Sequence, residues 1–242
     1  MLARKTLVGT LAGAIGLLIA ATALAATING TAGNDTLNGS PVADTINGKA
    51  GDDTIRGLGG SDKIDGGGDD DTIRGDGTCP TGTTGSPYNC VPGNPGKDTI
   101  VGGSGKDIIN GDRGIDRLSG LGGDDRVRGD AGNDRLSGGS GLDVITGGTG
   151  NDFITGSGGD DRLNGQAGRD TITGGSGRDI VEGGSGNDSI RVNDRIRDRV
   201  NCGSGRDTVS ADRLDKIASN CERVRRSSPR RTSGAAEPSS RR

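Results

Sequence analysis

Gly138-Gly139-Ser140-Gly141-Leu142-Asp143-Val144-Ile145-Thr146 runs without a gap into Gly147-Gly148-Thr149-Gly150-Asn151-Asp152-Phe153-Ile154-Thr155. Both stretches read Gly-x-x-Gly-x-Asp-x-(Ile/Leu/Val)-x. Working outward in both directions, eighteen such nine-residue units run head to tail from Gly30 to Arg191. A fixed period of this kind marks a repeat architecture whose units bury their apolar residues only by stacking. Each period supplies a turn, an acid and one core residue.

Glycine at the first and fourth positions is expected to take positive φ, so that six residues turn tightly. The last three, such as Thr171-Ile172-Thr173, then form a short strand whose middle side chain alone points inward. That position holds Leu37, Ile46, Ile55, Ile64, Ile73, Val91, Ile100, Ile109, Leu118, Val127, Leu136, Ile145, Ile154, Leu163, Ile172, Val181 and Ile190, with Gly82 the one exception. One unit crosses half the circuit and two units close a coil. The fold expected is all-β, a parallel β-roll or β-solenoid of nonapeptide repeats about nine coils long, ending in a small disulfide-pinned C-terminal cap.

Only 28% of the chain is hydrophobic and 50 of 242 residues are Gly, too little apolar material for an ordinary core. A core one residue wide does not easily offset the entropy of ordering so many glycines. There are thirty Asp against three Glu, where a merely solvated surface would mix the two. The net charge is −3, yet from Arg223 onward there are seven Arg and one Glu.

The sixth position is Asp in sixteen of the eighteen units. Units on one side of the coil lie eighteen residues apart, so these acids form two rows. One is Asp35, Asp53, Asp71, then Asn89, Asp107, Asp125, Asp143, Asp161 and Asp179. The other is Asp44, Asp62, then Pro80, Asp98, Asp116, Asp134, Asp152, Asp170 and Asp188. Each row is expected to break once, at Asn89 or Pro80. Carboxylates stacked at strand spacing repel one another. Ca2+ takes six to eight oxygens, carboxylates and backbone carbonyls among them, and an ion between successive turns would cancel the repulsion. Mg2+ suits such a turn poorly, because it demands tight octahedral geometry and keeps its waters. An Asx turn binding nothing would accept Asn or Ser equally at this position.

These in-phase units, about two thirds of the chain, resemble the repeats-in-toxin, or haemolysin-type, calcium-binding family. The resemblance implies a parallel β-roll holding multiple Ca2+ between turns, through the sixth-position Asp and turn carbonyls. Carried over by position, uninterrupted neighbouring Asp pairs give twelve candidate sites, six in each row. Ser40-Pro41-Val42 lacks the fourth-position Gly, and Asp69 replaces another, which weakens the sites beside them. Many family members carry a C-terminal export signal and no N-terminal one. This chain has an N-terminal signal and an Arg-rich tail, so the toxin and export associations are not carried over.

Arg4 and Lys5 precede the apolar run Leu7 to Ala21, and Ala23-Leu24-Ala25 follows as a small-x-small cleavage pattern. Residues 1–25 therefore read as a secretory signal peptide, with a secreted, extracellular mature chain and no membrane insertion after cleavage. Four Cys fit an oxidising compartment and fall as local couples, Cys79 with Cys90 and Cys202 with Cys221. Local pairing is one of three connectivities, favoured because each couple brackets a break in the repeat. Zinc is a poor rival with no His in the chain.

The roll spans 26–191 on this reading. Within it, residues 75–92 are irregular: either a degenerate coil keeping Asn89 and Val91 in place or a disulfide-tied loop beside a continuous stack. The preserved phase at Gly93 favours the coil. Residues 192–224 read as the cap and 225–242 as a disordered basic tail. A cell-wall or surface polymer is one conceivable partner of the tail; no nucleic acid is expected.

Three functions compete. The first is a secreted calcium-binding structural or adhesive module with calcium-dependent folding. The second is a polysaccharide-acting β-helix enzyme or accessory module. The sequence argues against it: there is no His, one Tyr, one Phe, and no acid standing apart from the repeats. An ice-binding solenoid would need regular Thr ladders, whereas the strands here mix Thr with Arg, Lys and Asp.

Overall fold

The computed structural model describes residues 25–58, 61–76 and 97–227. Residues 1–24 of the expected signal peptide 1–25, the couple Cys79 and Cys90, Pro80, Gly82, Asn89, Val91 and the residues beyond 227 lie outside the described residues. The chain winds as a parallel β-solenoid with two facing sheets. Sheet I has eleven strands, from Thr27–Asn29 to Arg223–Arg226; sheet II has ten, from Thr36–Asn38 to Lys216–Ile217. Successive strands alternate between the sheets, so each coil adds one rung to each.

The expected core is observed. Ile46, Ile55, Ile64, Ile73, Ile100, Ile109, Leu118, Val127, Leu136, Ile145, Ile154, Leu163, Ile172, Val181 and Ile190 are all buried, with Leu37 packed partly buried against them. Register stacks like on like: Ile145 pairs with Val127 and Leu163 across neighbouring rungs. Val and Ile suit such pleated, packed positions.

The strands are longer than the sequence suggested. Most cover six residues, as in Val144–Thr149 and Phe153–Gly158, and the turn shrinks to the remaining three. The inward side of each strand therefore carries two residues per unit, the aliphatic eighth and the glycine of the next first position, as the burial of Ile145 and Gly147 shows.

The glycine roles also differ from expectation. Positive φ occurs at the second and fourth positions, as in Gly139 (φ 122°) and Gly141 (φ 134°). First-position Gly138 and Gly147 are not left-handed. The second position is also filled by Lys49, Leu58, Leu121, Ser157 and Gln166 at positive φ.

The favoured coil at 75–92 is overturned. Lys63–Gly68 pairs directly with Thr99–Ser104, and Thr72–Asp76 with Ile108–Asn110, each thirty-six residues on. The stack closes with no rung between them. The ideal Cβ position of Gly75 lies 2.2 Å from Oδ2 of Asp98, the contact that every neighbouring unit makes over five residues. Eighteen residues more than the repeat requires therefore separate Gly75 from Asp98 in sequence, and they lie outside the described residues.

The segment after Arg191, expected as the cap, carries strands that extend the stack. Ser189–Val192, Arg199–Ser204, Thr208–Ala211, Lys216–Ile217 and Arg223–Arg226 all join the sheets in parallel. The phase slip is a change of turn length: Arg199 pairs nineteen residues after Ile180, and Lys216 seventeen after Arg199. The Cys202–Cys221 disulfide is present, with Cα atoms 5.3 Å apart. Arg225 and Arg226, expected in the tail, belong to the last strand of sheet I.

Candidate metal centres

Each sixth-position Asp immediately precedes a strand, so the two rows run along the two edges of the flattened coil. Oδ1 of each accepts the backbone N–H of its counterpart one coil earlier. In the first row the N–H groups of Asp35, Asp53, Asp71, Asp107, Asp125, Asp143, Asp161 and Asp179 donate to Asp53, Asp71, Asp107, Asp125, Asp143, Asp161, Asp179 and Asp198 at 2.8–3.0 Å. In the second, Asp44, Asp62, Asp98, Asp116, Asp134, Asp152, Asp170 and Asp188 donate to Asp62, Asp98, Asp116, Asp134, Asp152, Asp170, Asp188 and Asp207 at 2.8–2.9 Å. Neither row is broken where Asn89 and Pro80 had suggested, because Asp71 meets Asp107 and Asp62 meets Asp98.

The second carboxylate oxygen has a different environment. Oδ2 of Asp53, Asp71, Asp107, Asp125, Asp134, Asp143, Asp152, Asp161, Asp170, Asp179 and Asp188 is buried and accepts no hydrogen bond. It lies over the first-position glycine of its own unit. An ideal Cβ on Gly156 would fall 2.3 Å from Oδ2 of Asp161 and 2.4 Å from the carbonyl oxygen of Gly174. At Gly48 the same point is 2.3 Å from Oδ2 of Asp53 and 2.3 Å from the Gly66 carbonyl; at Gly165 it is 2.3 Å from Asp170 and 2.5 Å from Gly183. First-position glycine is therefore required for space, not for backbone freedom. Two oxygens from successive coils, a carboxylate Oδ2 and a glycine carbonyl, thus both border the space that a side chain would fill.

The ends of the stack lack this arrangement. Oδ2 of Asp35 accepts the Thr31 N–H at 2.6 Å, and Oδ2 of Asp44 accepts the Ser40 N–H at 2.5 Å. At the other end Val192 and Ala211 replace first-position glycine and are buried, and Cys202 replaces it with a side chain bonded to Cys221. Asp212 accepts the Arg195 and Leu214 N–H groups, and Asp215 those of Asp198 and Asp212. Asp35, Asp44, Asp212 and Asp215 thus meet protein donors at Oδ2, whereas Oδ2 of the body residues named above, and of Asp198 and Asp207 toward the C-terminus, accepts none.

Burial disfavours the charged form. Desolvation pushes Asp71, Asp152, Asp161 and Asp198 up to about 7, and Asp125 and Asp188 to about 6. The N–H bond to Oδ1 works against this, and the neighbouring row members add to it, as Asp134 and Asp170 do for Asp152.

All sixteen sequence-derived Asp residues take row positions, but Asp35 and Asp44 spend Oδ2 on protein donors. The sequence reading missed Asp198, Asp207, Asp215 and Glu222, which prolong the rows; Glu222 accepts the Asp207 N–H at 2.7 Å. It also missed a second ladder at the fifth position. There Asn133 Oδ1 accepts the Asn151 N–H, Asn151 the Arg169 N–H and Asp160 the Arg178 N–H. The recurrence of Asn and Asp before the sixth-position Asp was the available signal.

Among the described residues, no three acidic or thiol side chains converge on one point. The donor set is instead carboxylate plus backbone carbonyl, hard oxygens brought together where a side chain is excluded. That chemistry fits Ca2+. The chain matches the RTX calcium-binding nonapeptide repeat (4 copies) family over residues 22–48, 39–73, 93–118, 110–145, 119–154, 137–172 and 155–190. A search of characterised proteins gave no match. With the repeat pattern covering most of the chain and the stacked roll built on it, the protein belongs to the RTX calcium-binding nonapeptide-repeat family.

Proposed function

We propose that this is a secreted extracellular protein whose function is the calcium-loaded roll itself, a rod with a structural or adhesive role that folds only when Ca2+ is present. The observation that carries the reading is the contrast within one chain. Body carboxylates such as Asp53, Asp161 and Asp170 leave Oδ2 without a donor opposite a glycine carbonyl, whereas Asp44, Asp212 and Asp215 at the ends use both oxygens on protein N–H groups. Ca2+, when bound, would neutralise the charge of the rows.

The residues of the body that hold it are the sixth-position Asp side chains and the first-position glycine carbonyls. The N–H bonds to Oδ1 fix each carboxylate so that Oδ2 faces inward. The glycines leave room for it. A buried acid without a donor is costly, and a core of one aliphatic residue per unit offers little to offset that. Metal binding then supplies folding energy directly.

A non-enzymatic role is supported by the equivalence of the acids. Each recurs once per unit in the same environment, so none is set apart as a general acid or base. Secretion is supported by the signal-like N-terminus and by the Cys202–Cys221 disulfide, which suits an oxidising compartment. Equilibrium dialysis of the mature chain against labelled Ca2+ tests the reading. Saturable uptake of several ions per chain is expected, reduced stepwise when body Asp residues are changed to Asn. Uptake of one ion or none would refute it.

A further inference from the structure

The outward seventh position of sheet II carries a column of alternating character. Ile108, Arg126, Val144, Arg162, Ile180 and Arg199 are direct partners on six successive rungs. The three arginines are exposed, and the aliphatic residues between them are exposed or half-buried. The ion pairs among the described residues are Lys106–Asp124 and Arg128–Asp130, so none of the three is engaged in one. Each residue of the column directly follows a row position, from Asp107 before Ile108 to Asp198 before Arg199.

We propose that this column is a docking track for a linear acidic polysaccharide with one carboxylate per disaccharide. The reading rests on the calcium-loaded roll proposed above. Strand spacing of about 4.8 Å places a guanidinium every second rung, about 9.6 Å apart. A disaccharide of an extended pyranose chain spans the same two rungs. Guanidinium binds carboxylate bidentately and holds its orientation. The intervening Ile108, Val144 and Ile180 offer apolar surface to the uncharged sugar. A nucleic acid is the poorer fit, because each duplex strand carries one phosphate per about 3.4 Å of helix axis, out of step with a guanidinium at every second rung. The adjacent Asp row is anionic without metal, so neutralising it leaves the arginines the dominant charge on this edge.

Retention of the full mature chain on immobilised hyaluronan tests the track, in saturating Ca2+ at physiological salt, with neutral dextran and single-stranded DNA surfaces beside it. Hyaluronan is expected to retain the protein and dextran not. The variant R126Q/R162Q/R199Q is expected to bind at least tenfold more weakly, with its Ca2+ uptake and circular dichroism unchanged. Equal retention of the variant, no retention of the native protein, or tighter retention on DNA would overturn the proposal. Calcium uptake measured on the same samples keeps this failure distinct from failure of the calcium reading.

Discussion

Gly156→Ala tests the glycine cradle most sharply. Its added Cβ would fall 2.3 Å from Oδ2 of Asp161, 2.4 Å from the Gly174 carbonyl oxygen and 3.1 Å from Cγ of Asp161. Gly156 does not have positive φ, so backbone strain makes no contribution. The carboxylate cannot swing aside freely, because its Oδ1 holds the Asp143 N–H at 2.9 Å. Overpacking of this kind costs about 1–3 kcal/mol. If the site is also lost, a further ~2.7 kcal/mol disappears at a calcium concentration a hundredfold above Kd. Two residues along the same strand, Gly158 is the control. Its ideal Cβ meets only Ser176 Oγ at 3.5 Å and the Gly139 carbonyl at 3.9 Å. Gly158→Ala is expected to be neutral or stabilising by up to about 1 kcal/mol through the unfolded state. Chemical denaturation at saturating Ca2+, with ion stoichiometry measured on the same samples, reads both effects. The reasoning fails if Gly156→Ala keeps the full stoichiometry and the stability of Gly158→Ala.

Asp161→Asn keeps an Oδ1 acceptor and removes the charge, so it should act with opposite signs in two conditions. It should destabilise the loaded roll by about 2–3 kcal/mol through loss of one ion and stabilise the chelated chain; destabilisation in both, by denaturation, would count against the charged-ladder account. Acid should replace the metal in part. Asp71, Asp152 and Asp161 are raised from 3.8 to about 7, so between about pH 4 and 7 they bind more protons folded than unfolded, and calcium-free stability rises as pH falls through that window. Circular dichroism in chelator should gain strand signal on acidification toward pH 4.5; stability that instead rose with pH would contradict the sign. Replacing Cys202 and Cys221 together by Ser removes a crosslink between residues 19 apart and should cost about 3 kcal/mol. It should leave the ion stoichiometry of the body unchanged, since Cys202 brings only its backbone carbonyl to the last cradle, at Gly183 and Asp188, and Ser keeps that carbonyl.

The period-nine pattern made the solenoid, the alternation of sheets and the core legible before any coordinates. Ile145 or Ile154 could be placed inside from the register of the repeat alone. The purpose of first-position glycine was not legible. A turn needing positive φ and an acid needing space both select Gly, and only the Oδ2 of Asp161 against Gly156 separates them. The insertion between Gly75 and Asp98 was hidden for an arithmetic reason. It has the length of a full coil, so an extra rung and an extended turn leave the same downstream phase. Asp198 was masked by one additional residue between Val192 and the acid, with Arg195 at φ 78° absorbing it. Strand pairing tolerates that change in turn length because the rungs are set by Val181 against Val200 and Ile190 against Val209, not by the count between them.

Circular dichroism of the mature chain at pH 7.5, followed from excess chelator into millimolar Ca2+, is the most direct test of the central claim. A roll whose buried carboxylates need the metal should lack strand signal in chelator and gain it cooperatively, as on the order of ten ions bind per chain through hard oxygen ligands. A full strand signal already present in chelator, unchanged by Ca2+, would contradict calcium-dependent folding.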